Sequence, residues 1–574
     1  MYAVRQGGRI GNGKVTLMKG EKNRPDGAAS SDIIGVILCN CGATLFDKQE
    51  MNSLVSRLSF SDTILKDVII KTQLCSEGEI EAVVDIIRRK NCSKILFAGC
   101  SSLRNQALLK SMATRAGISS SAVYSVNMKD RIYSGGKAGR EASLRAAAQV
   151  INRGMRAISL IPHFERQRIP LAKVVLVIGG GIAGVKTALE LKMLGYDTIL
   201  VEKEPSLGGR LKREDRGNEP YSAVEPETGK EGAVLDGVTV FTGSTLLDLS
   251  GNIGAFKAVL KTPWGMKEVT CGAVVLAVGH PVNGGEPVAG EILPISRLEE
   301  AVSALPRKRT TRTTALILDM NRDETKASTE MALRLALAVQ NRGKVQVHIF
   351  LREVQVGSLS LEKLYDEARE AGVNIVKYEG DITIGRDSAG SHNGARGMMT
   401  VKARDAILDT DIQMECDLVA LSDFGLDSAV GPVLARTVEV SLDSAGRFQD
   451  NNIHLFPVET NKPGILVVGA CHGQYYLPQI LMEAKAAALA VHTLLSNGFL
   501  EVELSNVTVD PDKCVLCLTC IRSCPHKAMR INREKGCAES IPEVCQKCGI
   551  CTGECPARAI ELPVYSDRVL LSQL

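Results

Sequence analysis
The sequence predicts a multidomain α/β protein, and three observations carry that expectation. Short β-branched runs alternate with helix-period stretches over residues 33–165 and again over 173–203. The second region carries G-x-G-x-x-G directly after a β-branched run. A cysteine pattern, C-x2-C-x2-C-x3-C-P, is written twice near the C-terminus. A length of 574 residues suggests roughly three to five domains, and 45% apolar residues are enough for large cores. The formal net charge of +4 leaves no nucleic-acid footprint. Seventeen cysteines without a secretory signal imply a reducing, cytoplasmic setting and metal ligation. No apolar stretch approaches the roughly 18 residues of a membrane-spanning helix. Residues 1–32 are rich in Gly, Lys and Arg, lack periodicity, and read as a flexible tail.

Residues 33–165 read as an N-terminal α/β domain. The runs 33–39, 67–75 and 94–100 read as strands, with helical periodicity between them at Ile80, Val83, Val84 and Ile87. Cys39, Cys41, Cys75 and Cys100 then fall at the carboxyl ends of parallel strands, where open α/β sheets place ligands. Four thiols at one crevice suggest an iron–sulfur site. The competing reading is four thiols packed separately as small hydrophobes. Cys92, in a helix–strand turn, stays outside the set.

Residues 166–310 and 401–500 read as two parts of one dinucleotide-binding domain. Val174 to Ile178 is the first strand, Gly179, Gly181 and Gly184 form the fingerprint, and a second strand from Thr198 ends before Glu202 and Lys203. Gly179 makes the tight turn, Gly181 lets backbone approach a pyrophosphate, and Gly184 lets the helix pack on the strand. Glu202 stands where a carboxylate accepts hydrogen bonds from ribose hydroxyls. The segment P-S-L-G-G-R-L, with Gly209 and Arg210, resembles the G-G-R-L of two-dinucleotide-binding flavoproteins such as thioredoxin reductase. The run 273–279 ending in Gly279 resembles their return strand. The run 464–469 ending in Gly469, followed by a helix from about Pro478 to Leu495, resembles their closing FAD motif. That resemblance implies FAD, with the flavin near a helix N-terminus. It also implies an Asp after the last Gly, where this chain has Ala470 and Cys471; Cys471 reads as a packed thiol in preference to a group beside the flavin.

Residues 311–400 read as a degenerate NAD-domain-like insert. A strand at 313–320 runs into N-R-D-E-T, with no glycine before Gly343. Without glycines the backbone cannot approach a pyrophosphate, and Asp323 and Glu324 would repel its charge. The insert has no C-x-x-C, so a dithiol reductase is not expected.

Residues 501–574 read as a two-cluster ferredoxin domain. In the bacterial ferredoxin run three cysteines serve one 4Fe-4S cluster and the fourth serves the other. Cys514, Cys517, Cys520 and Cys555 are therefore assigned to one cluster, and Cys524, Cys545, Cys548 and Cys551 to the second. Zinc sites use pairs of C-x2-C instead of a run of three before a C-P. Cys537 has no partner run, and Cys271 and Cys416 read as structural.

From about residue 34 to 565 the chain resembles the A-subunit family of heterodisulfide reductase. The matches are V-I-L-C-N-C-G, C-S-E-G, F-A-G-C-S-S, V-N-M at 126–128, the glycine fingerprint, I-F-L-R-E-V at 349–354, L-Y-D-E-A-R-E-A-G-V, P-V-E-T-N-K-P-G-I-L-V-V-G-A-C and the tandem cysteine run. The resemblance implies a thioredoxin-reductase-like flavoprotein core joined to the two-cluster ferredoxin domain. It implies an FAD and iron–sulfur oxidoreductase subunit that relays electrons within a multi-subunit complex, with a dimer allowed. Its expected partners are B and C subunits, a hydrogenase- or dehydrogenase-linked adaptor, or a ferredoxin. Methanogen members carry a cysteine-bearing insertion after G-G-R-L, whereas residues 212–237 here contain no cysteine. A single-path relay is then expected in place of bifurcation. The alternative functions are a self-contained NAD(P)H oxidoreductase, like the small subunit of glutamate synthase, and an assembly scaffold. The missing second fingerprint opposes the first, and the intact first fingerprint opposes the second. No substrate-transforming residue is visible.

Overall fold
A computed structural model describes residues 33–42, 44–60, 64, 68–75, 77–100, 102–134, 139–209, 233–279, 292–304, 312–318, 326–341, 344–386, 398–422, 432–452 and 454–573. The tail expected at 1–32 lies outside them. The chain forms two compact units, residues 1–164 with 564–574, and residues 165–563. Each is described separately.

The first unit is built on a parallel sheet of β1 (Ile34–Cys39), β2 (Ile69–Lys71), β3 (Lys94–Gly99) and β4 (Val123–Asn127), in the order β2-β1-β3-β4. Every residue of β1 and β3 is buried. Such runs suit a parallel sheet covered on both faces. Val36, Leu38, Leu96 and Ala98 face the helices Lys48–Ser56 and Gly139–Leu160, while Ile37, Ile95 and Phe97 face Glu77–Arg89 and Ser102–Ala116. The strand expected over 67–75 is shorter, Ile69–Lys71, and Cys75 lies in a turn beyond it. The ferredoxin-like domain, expected to run to 574, ends earlier. Residues 564–574 belong to this first unit, and Val569 packs against Ala157, Ile161 and Phe164.

In the second unit, Arg166–Pro170 pairs antiparallel with Phe499–Glu503 and leads into the first Rossmann sheet. Val174–Ile178 lies at its centre, between Asp197–Val201 and Ala273–Leu276; Val238–Phe241 and Ile465–Val467 continue it on either side, all parallel. Alternate side chains separate the two faces. Val175 and Val177 pack on the helices Ile182–Met193 and Leu477–Leu495, while Leu176 and Ile178 pack on the meander Thr245–Ser250, Phe256–Thr262 and Gly265–Cys271.

A second seven-stranded sheet runs from Ile292–Pro294 through Arg312–Ile317, Val345–Leu351 and Asn374–Arg386, with Met399–Asp405, Thr410–Cys416 and Leu418–Leu421. The boundary expected at residue 400 thus falls inside a hairpin of this sheet, whose return strands carry the apolar alternation that Cys416, Met399 and Val401 bury. The segment 319–325, with Asp323 and Glu324, lies outside the described residues, as do Arg210 and most of 212–237.

The last module, up to Pro563, is small. A long-range antiparallel pair, Thr508–Val509 with Ile560–Glu561, and a hairpin, Met529–Asn532 with Cys537–Ser540, accompany the short helices Thr519–Ser523 and Ile550–Gly553.

Gly154 is the point where the helix Gly139–Leu160 meets the first unit's sheet. A Cβ there would stand 2.7 Å from Val126 Cγ1 and 2.9 Å from Leu96 Cδ1. Gly154→Val is expected to destabilise this unit by about 1–3 kcal/mol through overpacking. Hydrogen exchange of β3 and β4 under native conditions checks it; unchanged protection would contradict the packing described.

Candidate functional site
The glycine fingerprint forms a cradle whose shape its backbone dictates. Gly179 has φ 110°, and a Cβ on it would collide with Ala277 O; a Cβ on Gly184 would collide with Gly179 O. These two glycines are fixed by contact within the protein. Gly181 differs, because a Cβ there would meet nothing within 4 Å. It faces open space at the N-cap of Ile182–Met193, where no side chain caps the helix. The first-turn N–H groups are left available for an anion, which the helix dipole favours. Gly208 N–H donates to Gly180 O at 2.9 Å, and Gly209 closes over Gly181.

Glu202 is buried at 7% exposure. Its Oε2 accepts the Gly180 N–H and its Oε1 accepts the Glu204 N–H at 2.8 Å. The carboxylate therefore holds the fingerprint turn through two backbone N–H groups. Lys203, next to it, is exposed. Gly279 and Gly469 lie at the ends of the neighbouring strands, and a Cβ on Gly469 would press on Ala183 of the fingerprint helix at 2.9 Å. This dinucleotide cradle fits the group implied by the fingerprint.

The sequence reading missed Glu483 and His472. Gly469 N–H donates to Glu483 Oε2 at 3.0 Å, and His472 Nε2 lies 3.0 Å from the same oxygen. Glu483 thus puts a carboxylate at the closing turn, which lacks the expected Asp. Nothing at residue 470 signals a carboxylate supplied from the helix that follows. Cys471 is fully buried, its Sγ facing Leu276 O at 3.3 Å and Val468 O at 3.4 Å. Burial pushes its thiol up to about 12, and likewise those of Cys271 and Cys416.

The eight C-terminal cysteines line two cavities. Cys514, Cys517, Cys520 and Cys555 line one; Cys524, Cys545, Cys548 and Cys551 line the other. The loops around them repeat residue by residue. Leu516 and Lys547 share a left-handed φ (52° and 56°), as do Leu518 and Gly549 (63° and 79°) and Lys527 and Arg558 (53° and 48°). Such conformations are disfavoured for residues other than glycine and mark loops held by function. They turn N–H groups inward: Ala528 N–H reaches Cys524 Sγ and Ala559 N–H reaches Cys555 Sγ, both at 3.3 Å, and Ala538 N–H reaches Cys514 Sγ at 3.4 Å. Hydrogen bonds to sulfur are what tunes a cluster's potential. Burial, then neighbouring thiols, pushes Cys551 up to about 11 and also raises Cys520. Among the described residues no His, Cys, Asp or Glu group closes tightly enough for a single metal ion. A cubane keeps its thiolates further apart than one ion does, so these cavities fit clusters.

In the first unit, Cys39 ends β1 and Cys41 lies just beyond it, Cys100 follows β3, and Cys75 lies in a turn beyond β2. The strand order reverses between β1 and β3, so these cysteines border the switch point where such sheets bind ligands. They are not equivalent. Cys39 is buried in the apolar layer, Cys75 is exposed, and Lys129 Nζ lies 3.4 Å from Cys41 Sγ.

The comparisons with known proteins fall on these same places. The 4Fe-4S binding domain matches residues 507–530, and the NAD(P)-binding Rossmann-like domain matches residues 177–226. Over 88% of this chain and 92% of the other, the sequence is 21% identical to a CoB–CoM heterodisulfide reductase iron-sulfur A-subunit of Methanopyrus kandleri. The chain is similar over most of its length to heterodisulfide reductase A-subunits. It is 23% identical to the corresponding A-subunit of Methanocaldococcus jannaschii, again over 88% of this chain and 92% of that one. The heterodisulfide reductase A-subunit-like protein of Archaeoglobus profundus is 21% identical over 87% and 91%. Among solved structures, T. acidophilum thioredoxin reductase matches 56% of this chain and 97% of its own at 14% identity, with a TM-score of 0.36. No helix among the described residues is long and apolar enough to cross a membrane.

Two outcomes test this geometry. Gly181→Ala is expected to leave folding stability within about 0.5 kcal/mol yet lower flavin occupancy, whereas Gly184→Ala should lose both. Flavin content and urea unfolding of each variant decide between them. The Cys271, Cys416 and Cys471 thiols hold their protons more tightly folded than unfolded. Their contribution to stability is complete below about pH 9 and is lost as pH rises toward 12. Between pH 9 and 11 the unfolding free energy should fall more steeply in the parent than in Cys471→Ala, by up to about 1.4 kcal/mol per pH unit. Equal slopes would contradict it.

Proposed function
We propose that this chain is an FAD- and iron–sulfur-containing electron-transfer subunit of a heterodisulfide-reductase-like complex. The observation that carries the reading is the presence, in one compact unit, of a dinucleotide cradle and two four-cysteine cavities. FAD supplies the exchange between a two-electron pair and single electrons, and 4Fe-4S clusters carry single electrons.

The chain's own residues have narrower tasks. Gly179, Gly181, Gly184, Gly209 and the uncapped helix start hold the pyrophosphate. Glu202, with Lys203 beside it, fixes the fingerprint turn and accepts from the ribose. Gly279 and Gly469, the latter braced by Glu483, bound the flavin end, and Arg210 is assigned to the same cradle on the resemblance alone. The two cysteine sets hold one cluster each, and the inward N–H groups offset their negative charge. Cys39, Cys41, Cys75 and Cys100 are assigned to a third cluster on the strength of their placement at the switch point. The partners are the B and C subunits and a hydrogenase- or dehydrogenase-linked adaptor or ferredoxin, in the cytoplasm. Similarity to the A-subunit of a ferredoxin:CoB-CoM heterodisulfide reductase of Methanosarcina mazei, 22% identical over 86% of this chain, supports a ferredoxin-linked complex. With no cysteine in 212–237, the relay is assigned one path.

Purified anaerobically, the chain is expected to hold about twelve iron atoms per flavin, or about eight without the third cluster. Cys75→Ala should lower the higher count by about four. Mixing with NADH or NADPH in a stopped-flow instrument should leave the flavin oxidised on the millisecond scale. Rapid bleaching by either would overturn the relay reading.

A further inference from the structure
The two cysteine runs match in backbone but not in surroundings. Leu516 and Lys547 occupy the same place, immediately before the second cysteine of each run, in the same left-handed conformation. Leu516 is 37% exposed, beside Val515 at 70%. Lys547, its side chain 31% exposed, is paired with the dinucleotide side instead. Its Nζ lies 3.4 Å from Glu503 Oε2 and donates to Ser505 Oγ, where the Glu503 side chain is 9% exposed and Ser505 is fully buried. Glu503 ends the strand that pairs with Arg166–Pro170, the entry to the dinucleotide domain. Two further bonds join the same site to that domain. Asn461 Nδ2 donates to Pro525 O at 3.0 Å, directly after Cys524, and Asn252 Nδ2 donates to Glu543 Oε1 at 3.2 Å, just before Cys545. Among the described residues, Cys514–Cys520 and Pro556 make no hydrogen bond or ion pair outside 501–563.

We propose that the two cluster sites are inequivalent. The Cys524/Cys545/Cys548/Cys551 site exchanges electrons with the dinucleotide domain, its potential set by the Lys547–Glu503 pair. The Cys514/Cys517/Cys520/Cys555 site passes them to an external one-electron carrier protein, past the exposed Val515 and Leu516. The inference rests on the relay reading above. In the outward direction a bound, reduced flavin would give up its two electrons one at a time, each passing through the Cys524/Cys545/Cys548/Cys551 (inner) site and then the Cys514/Cys517/Cys520/Cys555 (outer) site to reduce one external carrier. No bond forms or breaks beyond the loss of flavin protons to solvent. Reduction adds a negative charge, so a nearby ammonium favours it and a nearby carboxylate opposes it. Lys547 and Glu503 are positioning residues that act on the inner site in opposite senses.

The test is an EPR-monitored redox titration of the iron-loaded protein. Lys547→Leu, which copies Leu516, should lower one cluster's midpoint, and Glu503→Gln should raise the same midpoint. The double variant should lie between. Leu516→Lys should raise the other midpoint. Each shift is expected to be about tenfold in the reduction equilibrium, about 59 mV for one electron. In flash photoreduction of the flavin with cytochrome c as external acceptor, Lys547→Leu should slow the internal phase, while Leu516→Lys should change only the cytochrome c phase. Shifts of the same sign from Lys547→Leu and Glu503→Gln, movement of both midpoints together, or an internal phase sensitive to Leu516→Lys and not to Lys547→Leu would overturn the proposal. Should Lys547→Leu fail to load iron, Glu503→Gln and Leu516→Lys carry the sign test. Iron-loaded protein without flavin would overturn the relay reading instead, and the midpoints would still decide whether the sites differ.

Discussion
The ferredoxin-like module has a core made largely of its own ligands. Cys520, Cys524 and Cys551 are buried in its apolar cluster, with Cys514, Cys545 and Cys555 packed against it. Around them stand only a few larger side chains, among them Val507, Met529, Val544, Ile560 and Leu562. A module of this size buries too little apolar surface to be stable by that means alone. Its strands are short and its loops hold left-handed residues that cost energy. Binding of the proposed clusters would couple metal affinity to folding and hold the module together. The raised thiol of Cys551 follows from the same crowding: without a cluster the site prefers its protons, and loading must release them.

The dinucleotide cradle obeys a different constraint, the close approach of backbone to backbone. Gly179 and Gly184 are required by contacts within the protein, and Gly181 by what lies outside it. Glu202 locks the turn from below through two backbone N–H groups. Glu483 does the same for the closing turn through Gly469. The cradle is thereby rigid before any ligand arrives, which lowers the ordering cost of binding.

What was legible in the sequence was local. The strand Val174–Ile178, the helix after it and the cysteine spacing follow from periodicity and motif, and the structure places them where those patterns do. The four N-terminal cysteines could be set at strand ends because β1 and β3 are continuous apolar runs. What escaped was long-range. Glu483 serves a turn 14 residues away, and Lys547 meets a carboxylate 44 residues away. The last residues return to the first unit through Val569, a single buried valine with no sequence signature. The end of the second sheet was misplaced because a β-meander after residue 400 has the same alternation whichever domain it joins.

On the proposed relay, flavin and clusters in this one chain share one pool of electrons. Anaerobic reductive titration with dithionite, followed optically for the flavin and by EPR for the clusters, tests it most directly. An uptake of about four electrons per chain is expected, two for the flavin and one for each C-terminal cluster, with a fifth if the N-terminal site is loaded. An uptake of two electrons confined to the flavin, or of cluster electrons with no flavin present, would contradict it.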